Sequence, residues 1–134
     1  MMKGRKTMVK WFNVKAKNGV ASLYSNSITL NTTAMYPFEE AYRVQVGLDD
    51  SGNIVIQPLT KAVVESGDLD ESCLLKLERN KSFARISSTP LMKQIGEAIG
   101  IELSKTAVQF ETMWDAKENV LTILVNKVIR VNKV

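Results

Sequence analysis

The chain has 134 residues, enough for one ordinary domain or two very small ones, with a core that needs no covalent staples. Hydrophobic residues make up 45% and charged residues 24%, a globular balance that excludes a disordered chain. The net charge is +4; with no histidine and one cysteine, Cys73, the chain can assemble neither a Ser-His-Asp nor a Cys-His unit, nor a zinc site or internal disulfide.

In chain order, residues 8–14 have strand composition, with Trp11 and Phe12 on opposite faces. Asn18-Gly19 predicts a two-residue hairpin turn, and Val20 to Tyr24 the returning strand. A tight turn at Asn26 leads into Ile28 to Leu30, and Asn31, Thr32 and Thr33 supply caps for a helix. Pro37 is expected to push Tyr36 out of the α region, so that the helix is short or displaced to Pro37–Ala41. Tyr42, Val44, Val46 and Leu48 alternate with polar neighbours. Residues 50–53 close a hairpin, and Ile54 to Ile56 return until Pro58 stops the ladder. Residues 59–72 are polar and acidic around Gly67, with a helical turn expected at Leu59–Val64.

Ser72 to Leu77 opens a second series. Ser87 or Ser88 caps a helix with Pro90 in its first turn, an apolar stripe of Leu91, Ile95, Ala98 and Ile99, and Gly100 as its stop. Val108, Phe110 and Trp114 share a strand face, and Val120 to Val125 predicts a strand buried on both faces or swapped into a partner. The series thus repeats: Val44-Gln45-Val46 aligns with Val108-Gln109-Phe110, Asn53-Ile54 with Asn119-Val120, and Leu30-Asn31 with Ile86-Ser87. The offsets of 64 and 66 imply an even insertion that leaves each strand's faces unchanged. The expected fold is therefore α+β, mostly β: one domain with two strand-strand-helix-hairpin units at residues 9–58 and 73–125. A linker at 59–72 joins them, and a basic tail or strand follows at 126–134.

Charge is segregated along the chain. Residues 1–38 carry six basic side chains and no acid, residues 39–125 nine basic and fourteen acidic, and the last nine residues three basic. No apolar run approaches the roughly 18 residues of a membrane span, and no apolar core follows the basic N-terminus. With a single cysteine, this predicts a cytoplasmic protein without membrane association. Asp68, Asp70 and Glu71 lack the calcium-loop spacing and read as a solvated acidic linker, so no metal or other cofactor is expected.

The string Ser27-Ile28-Thr29-Leu30-Asn31, followed by Thr33-Ala34-Met35 and then Tyr42 to Val46, resembles the swapped-hairpin transition-state regulators (AbrB/SpoVT type), with Ile54 to Pro58 as the closing strand. The resemblance covers residues 20–58 and, more weakly, 74–125, so the chain reads as a tandem duplicate of that unit. It implies interleaved halves, here a single-chain pseudo-dimer, and DNA binding. The arginine and proline with which that family approaches its helix are missing between Asn26 and Asn31, whereas Arg79, Lys81 and Arg85 surround the equivalent turn of the second unit. Residues 9–13 resemble the first strand of cold-shock domains, which implies a stacking role for Trp11, although the glycine- and phenylalanine-rich strand of that family does not follow.

These features predict a non-enzymatic nucleic-acid-binding protein, regulatory, with duplex DNA as partner. Lys15, Lys17, Arg79, Lys81 and Arg85 would contact phosphates from turns on one side of the sheet, with Trp11 available to stack. The alternative is a protein-interaction or structural accessory module, such as one from a mobile element, that binds no nucleic acid.

Overall fold

The computed structural model describes Val9 and residues 19–131, with side chains as far as Asn126. The expected strand at 8–14 (Val9 apart), Asn18 of the expected turn, Trp11, Lys15 and Lys17 lie outside the described residues, as do residues 132–134.

Alternation of apolar and polar residues builds the first hairpin. In β1 (Val20–Leu23) and β2 (Ser27–Asn31), Ala21, Leu23, Ile28 and Leu30 face the core. Asn31 ends β2 and caps α1 (Thr32–Met35): its Oδ1 accepts from the Ala34 N–H and from the Val20 N–H, both at 3.0 Å. A 3-10 turn at Tyr36–Phe38 continues the helix. Tyr36 stays in the α region (φ −50°, ψ −46°) rather than being pushed out of it, yet the α-helix is short, as one of the two expected outcomes had it, and the displaced helix at Pro37–Ala41 does not form. Pro37 sits in the first turn, where no N–H is required, and Phe38 is held fully buried behind it.

β3 (Arg43–Leu48) and β4 (Ile54–Leu59) form the second hairpin, turned at Gly52 with φ +81°. Val44 is buried, while Leu48, nearer the turn, is half-exposed. Thr60 caps α2 (Lys61–Glu65). Asp70 caps a 3-10 turn at Glu71–Cys73; the hydroxyl and then the backbone N–H of Ser72 hold its carboxyl below the usual carboxylate range. Within Ser72–Leu77, the opening of the second series, Leu75 bridges Val44, and β5 (Glu78–Arg79) and β6 (Phe83–Ser87) follow.

Ser88 caps α3 (Thr89–Ile99), and Gly100 stops it at φ +72°. Met92 and Ile95 are its buried residues, flanked by Leu91 and Ile99, while Ala98 is exposed. β7 (Val108–Asp115) pairs with β8 (Val120–Val131), which runs continuously into the basic C-terminal stretch. Of β8, Leu121 and Ile123 are buried and Val120 and Thr122 are not, so this strand has one core face rather than two.

The strands form one curled antiparallel sheet in the order β3-β4-β8-β7-β1-β2-β6-β5. Its two edges meet: Val44 and Leu75 exchange both backbone hydrogen bonds, at 2.9 and 2.8 Å. Since Val44 turns its polar groups toward Leu75, Pro58 opposite it turns its ring nitrogen away from β3. The β4–β8 ladder accordingly covers only Ile54 to Ile56. Ala21, Leu23, Ile28, Leu30, Phe110 and Ile123 fill the interior with Phe38 and Met92 from the helical segments. The protein is mostly β with few helices, and no helix among the described residues is long and apolar enough to cross a membrane.

Candidate functional site

Register decides which side of the sheet each basic residue occupies. Arg79 pairs with Ala84, whose side chain is fully buried, so Arg79 lies on the core side of edge strand β5. There its Nη1 donates to the carbonyls of Phe38 and Glu39, tying β5 to the end of the 3-10 turn. Arg85 pairs with Glu78 on one side and Thr29 on the other, and therefore lies on the outer face with Phe83 and Ser87. Its guanidinium stands 4.8 Å over the Phe83 ring. Lys81 alone occupies a turn, exposed beside Asn80, whose Oδ1 accepts from the Ser82 and Phe83 N–H groups.

Two separate clefts result. Arg79 and Lys81 line one of about 510 Å³ with Thr32, Met35, Tyr36 and Glu39. Arg85 lines another of about 620 Å³ with Tyr24, Asn26, Ser27, Ser87, Ser88 and Thr89. The structure thus brings Arg79 and Lys81 together and sets Arg85 apart on the opposite face; they do not form one basic side of turns, and two of the three are strand residues.

The Arg85 cleft is built by three elements. β2 contributes Ser27 and β6 contributes Arg85 and Ser87, all on the outer face because Ile28 and Ile86 between them point inward. The Ser88 N–H donates to the Asn26 carbonyl at 3.0 Å, which brings the start of α3 against the β1–β2 turn. Ser88 Oγ accepts from the Leu91 N–H at 3.2 Å. The Thr89 N–H, in the first turn, has no intrahelical acceptor. Ser87 Oγ donates to Glu78 Oε1 at 3.5 Å, a weak contact at the rim. The sequence expectation contained Arg85 but none of these hydroxyls. Alternation along Phe83-Ala84-Arg85-Ile86-Ser87 was the available signal, since it puts Arg85 and Ser87 on one face.

Compared with family models, curated proteins and solved structures, the chain has no match in any of the three.

Proposed function

We propose that the chain is an internally duplicated swapped-hairpin barrel serving as a non-catalytic nucleic-acid-binding module, with duplex DNA as its partner. Strand order supports the duplication. If β1, β2, α1, β3 and β4 form one half and β5, β6, α3, β7 and β8 the other, β2 lies beside its counterpart β6 and β4 beside β8. The second hairpin of the later half lies against β1 of the earlier one. The two leading hairpins turn alike: the Tyr24 N–H donates to the Ser27 carbonyl at 2.9 Å, and 56 positions later the Asn80 N–H donates to the Phe83 carbonyl at 3.0 Å. Exchanging the halves leaves the neighbour order unchanged once the Val44–Leu75 bridge joins the edges.

What supports nucleic-acid binding is the charge of the two ends of the sequence, six basic residues and no acid in residues 1–38 and three basic in the last nine. β1, which follows the basic N-terminal segment containing Lys10, Lys15 and Lys17, pairs along one edge of β7. The C-terminal extension of β8 pairs along the other, with Arg130 opposite Gln109. The backbone that follows one basic segment and the strand that carries the other thus flank β7, and the reading needs neither Arg79 nor Arg85.

The interaction-module reading rests on a different observation: residues 39–125 are net acidic, nine basic against fourteen acidic, and Arg79 is engaged by the fold. A gel-retardation series separates the two. A DNA binder retards an unrelated duplex at about 50 mM salt, and log affinity falls linearly with log salt at about −0.9 per phosphate contacted. Lys15→Ala with Lys17→Ala is expected to flatten that slope by about one to two units, equally for unrelated sequences. No retardation by the unmodified protein leaves the interaction module as the reading.

A further inference from the structure

We propose that the cleft between the outer face of β2–β6 and the start of α3 is a binding site for the terminal phosphate of a small phosphomonoester. The assignment does not rest on nucleic-acid binding.

Three observations converge on it. Ser27 is 7% exposed and lines the cleft, yet its hydroxyl has no hydrogen-bond partner among the described residues. The residue is enclosed while its hydroxyl stays open to the cleft, so that it can pair with whatever enters. Arg85 is half-buried, and its guanidinium, stacked on Phe83, likewise donates to no group among the described residues, with no acidic oxygen within ion-pair distance. The stacking fixes the plane of a fork suited to paired oxygens. Third, α3 is eleven residues long and its first turn opens on the same cleft, with the Thr89 N–H free and the positive end of the helix dipole behind it.

The donors decide the ligand class. Ser27 and Ser87 reach in from adjacent strands, Arg85 from the sheet and Thr89 from the helix start. Donors on several sides match the three free oxygens of a phosphomonoester better than the two of a carboxylate or of a phosphodiester within a strand. At about 620 Å³ the cleft also has room beyond the phosphate, beside Tyr24 and Asn26, for the body of a small molecule. Glu78 opposes the site: it faces Arg85 across the β5–β6 ladder and touches Ser87. Removing its charge therefore favours an anion.

Calorimetric titration of the full chain with inorganic phosphate and with glycerol 3-phosphate, at constant ionic strength against chloride, tests the assignment. Saturable binding of both is expected. Arg85→Gln should weaken it about tenfold or more, as loss of a charge-assisted contact does, and Ser27→Ala about threefold. Glu78→Gln should tighten it. Unchanged thermal melting shows that the variants remain folded, and Ser27→Ala, which removes one oxygen, serves if Arg85→Gln does not. Absence of saturable binding up to about 100 times a millimolar Kd, a scale at which one filled site is unmistakable, overturns the proposal. So does phosphate binding indifferent to Arg85, or displacement of phosphate by a short duplex but not by glycerol 3-phosphate.

Discussion

Arg79 and Arg85 stand six positions apart on one hairpin, and strand parity sends them to opposite faces. The outward direction of Arg85 follows from the alternation around it. The engagement of Arg79 could not be seen in the same way, because its acceptors belong to residues about forty positions earlier. A substitution distinguishes the two roles. Arg85 is half-buried against Phe83 but makes no hydrogen bond or ion pair among the described residues, so Arg85→Ala should cost only the ring contact, about 0.5–1 kcal/mol. Arg79→Ala instead frees two backbone carbonyls and should cost about 1–2 kcal/mol, read as a lower urea midpoint with unchanged slope. Equal midpoints for the two variants would refute the bracing role of Arg79.

Among the elements, local chemistry was legible wherever the chain's own neighbours decide the outcome. Ser88 as cap, Gly100 as stop and the turn at Gly52 all follow from short-range rules. Parity was not legible between distant strands. Aligning Asn53-Ile54 with Asn119-Val120 places the buried Ile54 on Val120, whereas the core residues of β8 are Leu121 and Ile123. The cause is the turn: four residues separate the β7–β8 pair Asp115–Val120, but five separate Leu48 from Ile54, so the difference is odd. Close approach of elements was equally hidden. Gly19, just ahead of β1, lies against α1 so tightly that an added Cβ would sit 2.5 Å from the Cα of Ala34. Neither backbone can yield cheaply, because Asn31 Oδ1 holds Val20 and Ala34 together and the Gly19 carbonyl accepts from the Thr112 N–H at 2.9 Å. Gly19→Ala is therefore expected to destabilise by about 1–3 kcal/mol, an overpacking cost, despite Gly19 lying outside any strand. A thermal melt within a degree of the unmodified protein would contradict this.

For the whole molecule, the mostly-β class could be read from pattern, but the neighbour order could not, since only long-range pairing fixes it. That order makes a sharp prediction. Cutting after residue 66 removes β7 from β1, β6 from β2 and β8 from β4 at once. Residues 1–66 should therefore be insoluble or associate through the exposed ladders, as seen by size-exclusion chromatography with light scattering. Recovery of this fragment as a stable folded monomer would sink the interleaved reading.

Interleaving also has a consequence in time. Strand β1 reaches its permanent neighbour only when β7 exists, and the Ser22–Gln109 contact between them spans 87 positions. With synthesis at roughly 5–20 residues per second, the first hairpin waits on the order of ten seconds for that partner. The sheet is thus completed only after β7 and β8 have been made, and its folding belongs with the slow, non-local β topologies.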